Sequence, residues 1–311
     1  MSAVLTGILQ AIVLLLIAPL FIGVVRTVKA RLEGRVGAGV LQPWRDLRKQ
    51  LRRPPVRVES GGMLLYAAPV VGVATSLALC VLLPLVSRLT IIPADLFVVV
   101  SVMLLSAIAP ALVGLAGGTA FGGMGASRHL TILALVEPTL LLAVYALSIP
   151  TGSSNLSAIL GARIDRPALI VSPVGLLALA ALVIAVIAEG ARLPVDNPST
   201  HLELTMIHEA MTIESSGRDL VWLELGSQLK LTALVALVGN LVLPWGVAAG
   251  AGPGLALGVV ALAAKTLLLG GVLAVAEVGL AKIRLFRVPE LLAGSVVLAF
   301  LAVAVSAVVP A

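Results

Sequence analysis

The stretch VGLLALAALVIAVIAEGARLPVDNPSTHLEL, residues 174–204, joins an unbroken apolar run to a segment rich in charge and proline. The run as far as Ala188 has no polar side chain, as is typical of a helix inside a membrane. The polar segment then brings together Glu189, Arg192, Pro194, Asp196, Pro198, His201 and Glu203. Because proline lacks a backbone N–H and clashes with the preceding turn, a regular helix cannot continue through residues 194–198. The stretch predicts a membrane helix that ends in a non-helical loop presenting carboxylates.

The composition of the whole chain extends this prediction. Of 311 residues, 60% are hydrophobic and 12% are charged, whereas soluble domains carry about 25% charged residues. Only helices and closed barrels satisfy the backbone within a bilayer, and apolar runs longer than about 18 residues indicate helices. The chain is therefore predicted to be an all-α integral membrane protein.

Hydrophobic runs of about 20 residues predict eight spanning helices in a single polytopic membrane domain, residues 1–311. The runs lie at 3–25, 62–87, 95–117, 130–149, 169–188, 225–245, 255–276 and 288–309. Two long polar loops remain, at about 26–61 and 189–224. The glycine-rich segment GGTAFGGMG, residues 117–125, is predicted to be a flexible turn between helices, since no Lys-Ser or Lys-Thr of a phosphate-binding loop follows it.

The basic residues predict the orientation in the membrane. Sixteen lie in the two long loops and in the connections on the same side, and only Arg88, Arg163 and Arg166 lie in the connections on the opposite side. Since lysine and arginine are enriched in cytoplasmic loops, the long loops are predicted to face the cytoplasm and both termini to face outward. This distribution explains the net charge of +6 without a nucleic-acid partner.

Sites typical of soluble enzymes are not predicted. The single cysteine, Cys80, excludes a cysteine metal cluster, and HEAMT at 208–212 lacks the second histidine of a zinc-protease helix. We therefore expect neither a catalytic residue nor a metal ligand in this chain.

Charged residues within or at the ends of the apolar runs indicate function more strongly than the soluble-enzyme motifs do. They are Glu137, Glu189, Lys230, Lys265 and Glu277. A charge at the centre of a bilayer costs at least about 2.5–3.5 kcal/mol. The five residues form either structural ion pairs or a hydrated proton or ion path, and their number favours the path. Glu137 is the leading candidate, because a desolvated carboxylate suits proton exchange near neutral pH.

Three motifs carry a family resemblance. The first is Ala-Glu-x-x-Arg-x-Pro-x-Asp-x-Pro at 188–198, followed by Glu-Leu at 203–204 and Glu-x-Ser-Gly at 214–217. The second is GRVGAGVLQPWRDLRK at 34–49, and the third is the pair Arg128 and Glu137. In these motifs, and in its eight predicted helices, the chain resembles the subunit 1 family of complex I, the NADH:quinone oxidoreductase.

One departure from the family pattern indicates a branch. The family's Pro-Glu-Gly-Glu-Ser-Glu is replaced by PSTHLE at 198–203, with the loss of two carboxylates. The segment THLELTMIHE, residues 200–209, is similar to the hydrogenase-4 component C version, found in complex-I-related [NiFe] hydrogenases such as formate hydrogenlyase.

The resemblance implies a subunit without a redox centre that anchors a peripheral electron-transfer arm and relays protons. The implied acidic relay is Glu137, Glu189, Asp196, Glu203 and Glu214, to which the intramembrane lysines Lys230 and Lys265 are added. The residues expected to dock the arm or order the relay are Arg35, Arg128, Arg192, Arg45, Arg48 and Lys49.

The resemblance also implies the setting of the chain, a prokaryotic cytoplasmic (inner) membrane. The expected partners are peripheral hydrogenase-like and Fe–S subunits at the cytoplasmic face, antiporter-like membrane subunits, and lipid. The [NiFe] centre and the Fe–S clusters are expected in those partners, with no cofactor in this chain.

Three alternatives stay open at this point. The chain could be a quinone-chamber subunit of a true complex I, in which case quinone binds, or a passive anchor whose carboxylates are only structural. It could also be a stand-alone ion transporter, which would show inverted repeats and broken helices, and neither is visible in the sequence.

Overall fold

The protein is described by a computed structural model covering residues 3–56, 58, 61–90, 94–196, 206–250, 252 and 254–308. Glu203, predicted to belong to the relay, lies outside the described residues. The long helices are α1 (Ala3–Leu32), α3 (Leu64–Leu82), α4 (Leu96–Ala116), α5 (Ala120–Ser148), α8 (Pro173–Glu189), α10 (Gly217–Val242), α11 (Gly254–Gly279) and α12 (Val288–Val308). The short helices are α2 (Gln42–Leu51), α6 (Leu156–Asp165), α7 (Ala168–Val171) and α9 (His208–Thr212).

The prediction of an all-α membrane protein is confirmed. Within the described residues, seven helices are long and apolar enough to cross a membrane, and α8 is a shorter apolar helix that matches the remaining predicted span. The chain is a multi-pass membrane protein. We call the end that carries α2 and α9 the loop end, and the end that carries residues 83–90, α6 and α7 the termini end.

The helices pack as two groups joined by α4 and α5. Helix α10 packs against α3 and α1, α1 packs against α11, and α3 packs against α4. In the second group α5, α8 and α12 pack against one another. In the most apolar 18-residue segment of α10, 78% of the residues are buried. The corresponding value is 22% for the helix that includes α12, so α10 is the central helix.

Three predicted helix boundaries are wrong at the loop end, and one of them is the start of α5, which lies at Ala120 instead of residue 130. Helix α1 continues to Leu32 instead of ending near residue 25, and α10 begins at Gly217 instead of residue 225. Both extensions alternate buried and polar side chains, for example Thr27 beside Arg26 and Leu223 beside Glu224. A criterion based on apolar run length therefore ends these helices too early.

The prediction of a flexible turn over 117–125 is also wrong for most of that segment. Helix α5 begins at Ala120, and the Thr119 hydroxyl caps it by accepting a hydrogen bond from the Gly122 N–H at 3.2 Å. A Cβ added at Gly125 would lie 2.7 Å from the Ala210 Cβ. The missing side chain thus lets α5 pack closely on α9, which forms part of the site described next.

Candidate functional site

The loop that follows α8 folds back over the loop end of the bundle. Ala191 adopts φ 49°, and the Asp196 N–H donates to the Arg192 carbonyl at 3.1 Å. The Ile283 N–H, in the connection after α11, donates to the Pro194 carbonyl at 3.0 Å. The non-helical loop predicted from the prolines is therefore confirmed as far as Asp196, and it is joined to the end of α11.

A cavity of about 1340 Å³ lies at the loop end, lined by residues of α1, α3, α4, α5, α8, α9, α10 and α11 and of the loop after α8. Part of its wall is apolar and includes Ile22, Val25, Met206, Trp222 and Leu231. Its charged lining residues are Arg26, Lys29, Glu33, Arg35, Glu189, Arg192, Asp196, Glu209, Glu224, Lys230 and Glu277. Basic and acidic side chains are about equally represented, so the charged part of the cavity wall does not favour ions of one sign.

Glu189 and Lys230 form a buried ion pair on the wall of this cavity. The Lys230 Nζ lies 2.7 Å from the Glu189 Oε1, and the two side chains are 8% and 2% exposed. Glu189 is the last residue of α8, and Lys230 lies about three and a half turns into the central helix α10. Each charge is tolerated at this depth because the other lies within hydrogen-bonding distance.

Glu277 is shared by two cations on the opposite wall. Its carboxylate accepts a hydrogen bond from the Lys29 Nζ at 3.2 Å and lies 3.5 Å from the Arg192 guanidinium. Burial lowers the pKa of Arg192, and the Glu277 carboxylate opposes that shift. Since the guanidinium stays protonated in proteins, this contact is an ion pair linking α1, α11 and the loop.

Asp196 is held by groups on both sides of the loop. Its Oδ1 accepts a hydrogen bond from the Lys282 Nζ at 3.0 Å, and its Oδ2 accepts one from the His208 backbone N–H at 3.3 Å. The carboxylate thus connects the loop, the start of α9 and the segment after α11.

Two histidines line the cavity between these pairs. The His129 Nε2 lies 3.0 Å from the Ala107 carbonyl oxygen and therefore donates to it. Burial, together with the charges of neighbouring His129 and Lys230, lowers the pKa of His208 to about 4. His208 is consequently neutral near pH 7.

Other predicted site residues lie outside the cavity. Arg128 donates to the Met206 carbonyl at 2.9 Å, behind the cavity wall. Glu214 packs against Gly117, where an added Cβ would lie 3.1 Å from its Cγ. Glu137 is half-buried on α5 and does not line the cavity.

Lys265 lies at the termini end, far from the other predicted relay residues. Its Nζ donates to the Asn240 Oδ1 at 2.7 Å and to the Leu243 and Trp245 carbonyls at 2.9 and 2.7 Å. The ammonium also lies 5.0 Å from the centre of the Trp245 ring. Three neutral oxygens thus bind this buried cation.

The predicted docking residues lie at the rim and on α2. Arg35 lines the cavity mouth and is paired with Glu33. Arg45, Arg48 and Lys49 are exposed on the side of α2 away from the buried Leu47. Within the part of the chain that the structure describes, no ion pair or hydrogen bond engages these three side chains.

Several lining residues were not assigned to the site from sequence. Lys29 was counted only as one of many basic loop residues, and Glu277 was recognised as an intramembrane charge without a place in the relay. Glu224, His129 and His208 sit in segments whose helical extent was underestimated. Among the described residues, no group of three or more His, Cys, Asp or Glu could hold a metal ion.

Comparison with known proteins matches nearly the whole chain. The NADH dehydrogenase family model matches residues 5–308. Hydrogenase-4 component C of Escherichia coli (strain K12) is 34% identical over 244 residues, covering 76% of this chain and 74% of that protein. Formate hydrogenlyase subunit 4 of the same organism is 32% identical over 303 residues, covering 96% of this chain and 97% of that protein. The resemblance predicted from the three motifs is confirmed.

One solved structure shows the same fold. It is the membrane-bound sulfane sulfur reductase, an archaeal respiratory membrane complex, a chain of which is 19% identical with a TM-score of 0.81. The match covers 98% of this chain and 99% of that one.

Proposed function

This chain belongs to the NADH dehydrogenase family, and we propose that it is the membrane-anchor and ion-coupling subunit of a complex-I-related, membrane-bound [NiFe] hydrogenase of the hydrogenase-4 or formate hydrogenlyase type. The observation that carries the proposal is the loop-end cavity, whose wall holds Glu189, Asp196 and Glu277 in contact with basic side chains. The two Escherichia coli relatives support the hydrogenase branch.

The cavity supplies the chemistry that coupling requires. In a low-dielectric site the proton of an acid–base pair responds strongly to a nearby charge. The charge of an electron arriving in a docked peripheral arm would therefore act on the buried Glu189–Lys230 pair, whose Oε1 and Nζ atoms lie 2.7 Å apart. In this proposal Glu189, Asp196 and Lys230 form the core of the relay, Glu214 belongs to its loop-end entrance, and Glu137 and Lys265 lie beyond the cavity. Glu203 is proposed as a further acid of the relay.

The proposal also assigns the surroundings. The loop end faces the cytoplasm of a prokaryotic cell across its inner membrane, and both termini face outward. Peripheral hydrogenase-like and Fe–S subunits dock at the loop end and hold the [NiFe] centre and the clusters. Antiporter-like membrane subunits and lipid contact the apolar faces.

The proposal is tested by measuring coupling and chemistry in one preparation. We expect Glu189→Gln to leave the complex assembled, because the amide oxygen can still accept a hydrogen bond from Lys230. Hydrogen evolution with an artificial donor should stay intact, while coupled ion translocation falls. Glu290→Gln is the matched control, because Glu290 is exposed on α12 and does not line the cavity. Unchanged translocation in Glu189→Gln, or a wild-type preparation without hydrogenase-like subunits, would count against the proposal.

A second candidate, the quinone-chamber subunit of a complex I, is favoured by one observation. The volume of about 1340 Å³ and the apolar wall suit a long hydrophobic ligand, because ligand pockets of about 300–1,000 Å³ hold drug-sized molecules. If this function is the correct one, the purified complex reduces a soluble quinone, and Leu231→Trp, which places a larger side chain in the cavity wall, reduces that activity. Hydrogen evolution without quinone reduction decides for the hydrogenase.

A further inference from the structure

The outward face of α5 carries a carboxylate inside the membrane. Glu137 is 11 residues from the end of α5 at Ser148, which places it about 17 Å from the termini end of the helix at about 1.5 Å per residue. Since the hydrocarbon core is about 30 Å thick, Glu137 lies near its middle.

Helical spacing places Glu137 away from the interior of the bundle. The buried face of α5 includes Val136, Leu140 and Ala143. Glu137 belongs instead to a face with Leu130, Ala134, Leu141 and Tyr145, which follow one another at intervals of three or four residues. Leu130 is 37% exposed and Tyr145 is 46% exposed, so this face points out of the chain.

The Glu137 carboxylate has no partner within the part of the chain that is described. No hydrogen bond or ion pair reaches it. Arg128 is nine residues away, about 13–14 Å along the helix, and its guanidinium is bound to the Met206 carbonyl. Lipid head groups lie too far away to satisfy a carboxylate at this depth, and intramembrane acids are almost always paired.

The same face permits another helix to approach closely. Ala134 has a small side chain, and a Cβ added at Gly123, about two turns before Leu130 on this side, would meet nothing within 4 Å. Small residues at a membrane-helix surface allow two backbones to pack together. The face thus combines space for a helix with an unpaired acid.

We propose that the outward face of α5, from Gly123 to Tyr145, binds a transmembrane helix of a partner subunit that presents a lysine or arginine to Glu137. Charge complementarity selects this occupant: a cation at that depth would be as costly alone as the carboxylate, and the two neutralise each other on contact. The inference rests on the proposed function only because it requires membrane partners.

The test places a photo-crosslinking amino acid at Ala134 or Leu141 in the intact complex, with Val272 on the exposed face of α11 as the control. We expect both α5 positions to give an adduct with one membrane subunit, close to a lysine or arginine of that subunit. Glu137→Leu should reduce this adduct about three- to tenfold, as expected for one interhelical polar contact. Any adduct at Val272 should be unaffected by Glu137→Leu.

The decisive variant is a charge exchange. Glu137→Lys should abolish the adduct, and Lys or Arg→Glu at the crosslinked site of the partner should restore it. Adducts only with lipid, or adducts indifferent to Glu137→Leu, overturn this interface. If peripheral subunits still co-purify in that case, the proposed function stands and only the α5 interface is wrong.

Discussion

At the scale of single residues, pairing decides what each charge can do. As whole residues Glu189 is 5% exposed and Lys230 is 6% exposed, so neither charge can be removed without leaving the other buried and without its opposite charge. Asp196 and Glu277 are similarly engaged by Lys282 and by Lys29 with Arg192. In the proposed relay, a proton would be exchanged between the two members of such a pair.

We expect Lys230→Met to lower the free energy of unfolding by about 3–5 kcal/mol, the usual consequence of leaving one partner of a buried ion pair alone. The double variant Glu189→Leu with Lys230→Met should recover most of that loss, because it removes both charges and keeps similar volumes. Thermal unfolding of the detergent-solubilised complex measures both. A double variant as unstable as Lys230→Met would contradict the pairing.

His208 gives the complex a stability that depends on pH. Its folded-state pKa of about 4 lies below the ordinary value of 6.5. Between these values the unfolded chain binds a proton that the folded chain excludes, so stability decreases as the pH falls through this window. We expect His208→Gln to reduce the difference in melting temperature between about pH 7.5 and about pH 5. A variant with the same pH dependence as the wild type would show that other groups cause it.

The sequence predicted which residue types form the site better than it predicted their contacts. Glu189, Arg192, Asp196 and Lys230 are brought to one cavity, as expected from a charged segment at the end of an apolar helix. The pairing of Glu277 with Lys29 could not be predicted, because 248 residues separate them and only the packing of α1 on α11 brings them together. The partners of Lys265 could not be predicted either, because they are the Asn240 side chain and two backbone carbonyls that no sequence motif marks.

At the scale of elements, α2 is the segment best suited to contact something outside the chain. Its buried side holds Pro43 and Leu47 against the bundle, and its opposite side exposes basic residues. Its existence as a helix was not predicted, because apolar run length identifies spans but not short amphipathic helices. Its basic residues were predicted to be a docking patch, and the exposure of those residues agrees with that role.

Neutralising Arg45, Arg48 and Lys49 together to glutamine should loosen the peripheral arm. Each basic residue near an anionic surface contributes about 1 kcal/mol at most, so the triple change should lower the salt concentration at which the arm dissociates. Arg166→Gln, an exposed change at the termini end, is the control. If the triple variant and the wild type resist salt equally, these basic residues do not bind the arm and serve only to set the orientation in the membrane.

At the scale of the whole molecule, the order of the apolar helices followed from apolar runs, although only seven of the eight predicted spans are long enough to cross a membrane among the described residues. The order was predictable because a bilayer requires about 20 apolar residues of each span. The packing of the helices could not be predicted in this way. Nothing in the apolar run of α10 marks it as the central helix, although 78% of its most apolar segment is buried. Its polar side chains, among them Gln228, Lys230 and Asn240, are the only sequence sign of that position.

Orientation is the prediction that belongs to this scale. A cysteine introduced at Arg52 should react with a membrane-impermeant reagent only from the cytoplasmic side, and one at Arg166 only from outside, because positive loops stay in the cytoplasm. The native Cys80 is buried and gives little background. Labelling of the Arg52 position in intact cells would reverse the orientation and every assignment that depends on it.

The oxygens around Lys265 determine how the stability of the termini end should respond to monovalent salt. Carbonyl oxygens are the ligands with which potassium-channel filters replace the hydration shell of an alkali ion, and here the Asn240, Leu243 and Trp245 oxygens surround an ammonium that is covalently tethered to α11. The wild-type fold should therefore be indifferent to the choice of sodium or potassium. Lys265→Met leaves those oxygens without a cation, so its melting temperature should become dependent on monovalent salt.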